Sequence, residues 1–370
     1  MISSISPAQK RRSRRVSTFV AVGAVTGMLL VSGCARGGTD SSSGANGANA
    51  ADKKTGKGLV IGWSQRGISG SDWWKTLVAG GKSEADSMGG TIELLDANGD
   101  TTRQNADIQT LIAKKVDVVI MNANDPIGVG ASVDALKAAN IPLVTVNSNL
   151  APSLVPSMFC YVAEDQGYTG ALAGAVIAKK AIAKFGTSGE IKLVGIGGFP
   201  GDVISDLRFN GFMKGYSDVM KAYPNVTTKQ LPTKYGEWKP DKALAPIRDV
   251  ATANPDLKIV FSMSDVMQGG IEQGLQQAGL WGDKFLEGSY DGGMNSVKEM
   301  LDKSTGPLQA TASNQPWDQG TTAVKMALAA FNKDQSACPN KSVFIKTTVV
   351  TPENAKTFYK PADTYVRASK

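Results

Sequence analysis

The chain has 370 residues, with 40 lysines and arginines against 33 aspartates and glutamates, and 42% of it is apolar. Five of the basic residues fall before position 16, so the rest of the chain carries only about +2 and offers no basic footprint for nucleic acid. There is no histidine, which removes the Ser-His-Asp triad and the commonest zinc ligand, and three cysteines without histidine make a poor metal site.

The N-terminus is basic and then apolar. Lys10, Arg11, Arg12, Arg14 and Arg15 precede the run TFVAVGAVTGMLLVSG, and Cys34 follows it. That run is shorter than the roughly 20 residues needed to span a bilayer and suits the core of a signal segment. Val31-Ser32-Gly33-Cys34 resembles the lipobox of bacterial lipoprotein precursors. The resemblance implies removal of residues 1–33, a lipid on the Cys34 sulfur, and anchorage to the outer face of the cell membrane. Residues 34–57, ARGGTDSSSGANGANAADKKTGK from Ala35, read as a flexible tether. In such an oxidising compartment Cys160 and Cys338 form a candidate disulfide.

From Gly58 a regular alternation begins. GLVIGW is a short apolar strand, and Asp72 to Met88 has helical spacing. TIELLDA, VDVVIMN and PLVTVN are strands, separated by helices over Thr101–Lys114 and Gly128–Ala139. MFCYVA leads into a helix from Asp165 to about Phe185. The alternation then repeats. IKLVGI, VTTKQLP, LKIVFSMS, FLEGSY and LQATAS are strands. The helices between and after them cover Ile204–Tyr223, Pro240–Ala253 with proline in its first turn, Asp265–Ala278 capped by Asp265, Met294–Lys303 and Gln315–Phe331. SVFIKTTVV is the last strand. Strands apolar throughout, alternating with helices, predict parallel sheets covered on both faces. The fold class is therefore α/β, with two Rossmann-like lobes. Residues 58–163 plus about 315–345 form the first, and 164–314 plus about 346–370 the second. Three crossings join them as a hinge, near Ala163–Asp165, Ala312–Asn314 and Lys346–Thr351.

Open parallel sheets bind ligands at the carboxyl ends of their strands. In the first half those places hold Ser64, Trp73 and Trp74, Asn122, and Asn147 with Ser148. In the second half they hold Asp206 and Arg208, Trp238, Ser264 with Asp265, Tyr290 with Asp291, and Asn314 with Gln315. Aromatic rings cover the C–H faces of a sugar, while amides and carboxylates bond vicinal hydroxyls in pairs. The glycines at 195, 197, 198 and 201 do not make a dinucleotide fingerprint, because its third glycine falls on Pro200.

Several stretches together resemble the ribose- and galactose-type periplasmic binding proteins, the sugar-capturing components of ABC importers. They include KSEADSMGGTIELLDANGD, AANIPLVTVNSN, VAEDQGYTGALAGAVIAKK, RFNGF, NPDLKIVFSMSD, GSYDGG and SNQPWDQG, spread from Lys57 to about Thr351. The resemblance implies that Trp73, Trp74, Trp238 and Tyr290 stack on a sugar ring and that Asn122, Asn147, Asp291 and Asn314 bond its hydroxyls. Asp206 falls where the ribose proteins hold a ligand-binding arginine, Arg208 matches the next arginine along, and Ser148 replaces another ligand-binding arginine, which argues against ribose itself. The implied function is capture of a monosaccharide or sugar alcohol for an ABC permease and its ATPase, by a monomer without cofactor, metal or enzymatic activity. The alternative on the same fold is a furanosyl signalling molecule or a nucleoside. A sugar-responsive repressor would carry a DNA-binding helix pair where this chain has its signal and tether.

Overall fold

The computed structural model describes residues 50–69 and 71–367. The expected signal segment, Cys34 and most of the expected tether lie outside them. The end of that tether is not free. Helix α1, Ala50–Lys54, sits on the domain, where Lys53 pairs with Asp117 at 2.8 Å and Asn332 donates to the Lys54 carbonyl. Composition alone hid this, because the partners are 64 and 278 residues away.

The chain then builds β1 (Val60–Gln65), α2 (Asp72–Ser87), β2 (Thr91–Asp96), α3 (Thr101–Ala113), β3 (Val118–Met121), α4 (Gly130–Ala138), β4 (Leu143–Val146) and β5 (Cys160–Glu164). It continues with α5 (Gln166–Phe185), β6 (Gly189–Gly197), α6 (Val203–Met220), β7 (Val226–Gln230), β8 (Lys234–Tyr235), α7 (Pro240–Ala253), β9 (Leu257–Ser262), α8 (Gln268–Gln277), β10 (Leu286–Asp291), α9 (Met294–Asp302) and β11 (Leu308–Ser313). Helix α10 (Pro316–Phe331), β12 (Ser342–Ile345), β13 (Val349–Val350) and α11 (Ala355–Phe358) complete it.

The strands make two sheets, ordered β12-β5-β4-β3-β1-β2 and β13-β11-β10-β9-β6-β7, with β8 paired to β6. All pairings are parallel except that of β13 with β11. Strands β3, β4, β10 and β11 are buried at every position, as helices on both faces require. One face of the first sheet packs Ile61, Trp63, Leu77 and Val324, and the other Ile108, Leu111, Val119 and Val133. The second sheet repeats the arrangement with Ile177, Phe212 and Phe261 against Val194, Ile247 and Ile271. Helices α5 and α6 meet backbone to backbone. A Cβ at Gly174 would lie 2.0 Å from the Phe212 carbonyl oxygen, so any larger residue there forces the pair apart.

The chain passes between the sheets three times: at Asp165, at Asn314–Gln315, and over residues 346–348. SVFIKTTVV is accordingly not one strand. It splits into β12 in the first sheet and β13 in the second, because its two ends hydrogen-bond to different sheets. Gln315, in the left-handed region at φ 53°, donates from Nε2 to Ser313 Oγ at 3.0 Å and to the Lys346 carbonyl at 2.7 Å, tying the second crossing to the third. The disulfide expected between Cys160 and Cys338 is present, with Cα atoms 6.0 Å apart.

The first crossing carries a buried acid. Glu164 ends β5, is buried, and accepts from the Tyr290 hydroxyl at 2.5 Å. Burial pushes its pKa up to about 7, against the pull of the Thr169 and Tyr290 hydroxyls and the Arg208 charge. Burial and then the neighbouring Asp291 charge also push Asp265 up to about 7. The unfolded chain releases these protons near pH 4, so between about pH 4 and 7 the folded state binds more protons than the unfolded one. Their contribution to stability is full below that window and is lost as pH rises through it. Melting temperature is expected to decline from about pH 5 to 7.5, and Glu164→Gln to flatten the decline in thermal melts across that series. An unchanged slope would remove Glu164 as a cause.

Candidate functional site

The carboxyl ends of the two sheets bring together most of the strand-end residues expected from sequence. In the second lobe they form one hydrogen-bonded network. Arg208, on α6 and only 5% exposed, donates from Nε to Gln166 Oε1 at 2.7 Å and from Nη1 to the Met263 carbonyl at 2.6 Å and Asp291 Oδ1 at 3.0 Å. Asp291 Oδ2 accepts from Ser264 Oγ at 2.6 Å, and Asn314 Nδ2 approaches Oδ1 at 3.4 Å. Nη2 of Arg208 makes no hydrogen bond to the described residues. Burial works against the Arg208 charge, and the Asp291 carboxylate leads the groups that more than restore it, so its pKa is raised overall. A buried guanidinium is tolerable only when paired and hydrogen-bonded in this way. Asp291 itself sits at φ 109°, followed by Gly292 at φ 71°, an uncommon backbone that turns its carboxylate off the strand end.

The first lobe presents a different surface. Ser71 caps α2 by accepting from the Trp74 amide, which sets Trp73 and Trp74 in the first helical turn. Trp73 is 7% exposed and packs into the core, with its indole nitrogen buried and unpartnered. Trp74 is less buried and lies 5.6 Å beneath the Arg66 guanidinium. Arg66 also donates to Ser148 Oγ at 3.3 Å. Burial lowers the Arg66 pKa, and the Asp202 carboxylate opposes this from the start of α6 in the other lobe. Gln104 donates to Ser64 Oγ and to the Asn122 carbonyl, fixing the ends of β1 and β3 side by side. Asn122 is fully buried, yet both polar atoms of its amide lack a hydrogen-bond partner among the described residues. Asn147, at φ 61°, is held by the Tyr161 hydroxyl on its carbonyl at 2.8 Å.

The structure bears on four further expectations. Tyr290 is fully buried, its hydroxyl is committed to Glu164, and Arg208 lies 4.0 Å over its ring, so that face is closed to a sugar. Asp206 is exposed on α6 and its side chain joins none of these groups, because a two-residue offset on a helix puts it about 200° around the axis from Arg208. Asp265 does not cap the helix. Ser264 Oγ accepts from the Val266 amide, and Asp265 instead takes the Gly293 amide and the Thr311 hydroxyl. Ser64 is fully buried beneath the strand end, bonded to Gln104. Trp238, at φ 57°, lies against Gly198, where a Cβ would come within 2.0 Å of the indole. Arg66, Gln104, Gln166 and Asp202 were not singled out by sequence. Arg66 follows the end of β1 and was open to the strand-end rule; the others act through partners far along the chain.

Residues 61–335 match the family model described as a periplasmic binding protein domain. The ribose import binding protein RbsB of Escherichia coli (strain K12) is 29% identical over 253 residues, covering 68% of this chain and 78% of that protein. The galactofuranose-binding protein YtfQ of the same strain is 26% identical over 302 residues, covering 80% and 89%. Among solved structures, an ABC transporter solute binding protein from Mycobacterium smegmatis with bound glycerol superposes with a TM-score of 0.71 at 28% identity, covering 84% of this chain and 99% of that one. With its two parallel sheets, three crossings and facing strand ends, this chain belongs to the periplasmic binding protein domain family.

Proposed function

We propose that this chain is the solute-binding component of an ABC importer, holding a monosaccharide or sugar alcohol between its lobes rather than transforming it. The observation that carries this reading is the mismatch between the two strand-end surfaces. Asp291, Arg208, Ser264 and Asn314 satisfy one another in the second lobe, whereas Asn122 in the first is buried with an amide that none of the described residues satisfies. A buried amide left unpaired costs about 1–3 kcal/mol, and a neutral ligand rich in hydroxyls would supply both a donor and an acceptor. The opposed charges of Arg66 with Asp202 and Arg208 with Asp291 leave no net excess for an acidic ligand. Trp74 and Trp238 offer the aromatic surfaces, and closure of the lobes about the three crossings would exclude water from the ligand. Relatives named for ribose and galactofuranose support the ligand class. Lipidation at Cys34 would hold the domain at the membrane face beside its permease, and the ion pair of Lys53 would set where the tether leaves it.

A thermal-shift screen of the full chain against pentoses, hexoses, polyols and nucleosides tests the ligand class, because a ligand that binds only the folded state raises the melting temperature. The best compound is then titrated calorimetrically against Asn122→Ala. That variant is expected to melt at or above the parent temperature, since it removes two unsatisfied groups, and to bind about tenfold or more weakly. Equal affinity in parent and variant would separate Asn122 from the ligand.

A further inference from the structure

The chain does not end with the second lobe's α11. Beyond it the Met294 amide donates to the Thr364 carbonyl at 2.9 Å, and the Val366 amide donates to the Gly292 carbonyl at 2.8 Å. Tyr365 thereby forms an antiparallel bridge with Gly293, two residues from Asp291. Extended backbone sends consecutive side chains to opposite sides. Val366 is buried with Met294, Val297 and Met300 of the second lobe, while Tyr365 joins the first lobe's core cluster with Trp73 and Leu77. Arg367 then lies 3.7 Å over Trp317 at the start of α10, steadied by Asp363 at 2.8 Å. Three successive residues therefore grip both lobes.

Tyr365 is 5% exposed, and its hydroxyl, which is not among the fully buried polar atoms, makes no side-chain hydrogen bond to the described residues and still reaches solvent. A phenol in that position ordinarily finds a partner. Burial raises its pKa, and the carboxylates of Asp291, Asp265 and Asp72 raise it further against the Arg208 charge. The ring thus lies within electrostatic reach of both the Asp291–Arg208 network and the first turn of α2, which carries Trp73.

We propose that the C-terminal tail is a strap joining the two lobes beside their facing strand ends, and that Tyr365 is a ligand-contacting residue whose free hydroxyl bonds a ligand hydroxyl next to Asp291. This rests on the sugar-binding reading above. The strap adds a noncovalent link to the three covalent crossings, so the tail takes part in recognition rather than trailing from the domain.

The test uses the full chain and D-ribose, L-arabinose, D-galactose, D-fucose, glycerol and myo-inositol as probes. Tyr365→Phe removes only the hydroxyl, so it is expected to melt within about 2 °C of the parent yet bind the best probe about tenfold more weakly. Ending the chain after Tyr359 removes the whole strap and is expected to weaken binding further. Parent affinity in Tyr365→Phe overturns the proposal, as does a variant that loses thermal stability but not affinity. A parent that binds none of the six probes defeats the sugar-binding reading instead, and this inference with it.

Discussion

Replacing Asp291 by alanine is expected to have the largest effect of any single substitution at the strand ends, on stability and on ligand affinity together. Asp291 neutralises Arg208, whose side chain is 7% exposed, and accepts from Ser264 and Asn314. Its removal strands a buried guanidinium, a class of change that costs about 3–5 kcal/mol. The ligand would lose the orientation of Arg208 as well as a carboxylate acceptor, so affinity should fall by more than the roughly 30-fold that accompanies a loss of 2 kcal/mol. Asp291→Asn separates the two roles. It keeps the shape and an acceptor for Ser264 but not the charge, and should sit between parent and alanine variant in both assays. Urea denaturation and calorimetric titration measure them. An alanine variant with the parent's urea midpoint would mean that the Arg208–Asp291 pair contributes nothing net to the fold.

Loss of the Cys160–Cys338 bond is expected to be the other large effect, and to act on stability alone. The bond joins β5, where the chain leaves the first lobe, to the turn before β12, where it has returned. The segment between them, spanned by a sequence separation of 178, includes the entire sheet core of the second lobe apart from β13. In the unfolded chain the link forbids the many conformations in which the ends of this long insertion drift apart. Chain entropy for a loop of that length gives about 5 kcal/mol. The Cys160→Ala/Cys338→Ala variant should therefore show a much lower urea midpoint in oxidising buffer, while reductant should lower the parent and leave the variant unmoved. Equal midpoints for parent and variant would contradict this. Affinity for ligand should stay within about twofold, since Cys160 starts β5, at the end of the sheet opposite the strand carboxyl ends, and distant changes are usually independent.

The two effects differ because one lies in contacts of the folded state and the other in the freedom of the unfolded chain. The pH response of Glu164 belongs with the first kind. A carboxyl held at the crossing between the lobes, and bonded to Tyr290 from the second lobe, couples protonation to the place where the chain changes sheets.

Elements and their order were legible in the sequence because they follow from local periodicity. Runs such as VDVVIMN and PLVTVN can be buried on both faces only in a covered parallel sheet, and Pro240 marks a helix start by its own geometry. The strand-end rule also pointed to Asp291 and Asn122, since it needs only the position of each strand's last residue, whereas Arg208 lies within α6 and joins Asp291 only through the fold. What it could not supply was the partner of each group. Tyr290 looked like a stacking ring until Glu164, 126 residues earlier, took its hydroxyl. SVFIKTTVV looked like one strand because its pattern is continuous, yet its halves join sheets whose edges, β5 and β11, are about 150 residues apart in the chain. PADTYVRASK has no periodicity at all, and only the fold brings Tyr365 beside Gly293. Sequence by itself determined which segments form strands and helices and which residues stand at their ends, because burial repeats along the chain with the period of each element. Tertiary structure decided which of those residues are spent on one another and which remain for a ligand, because that depends on hydrogen-bond partners and charges that chain distance does not encode.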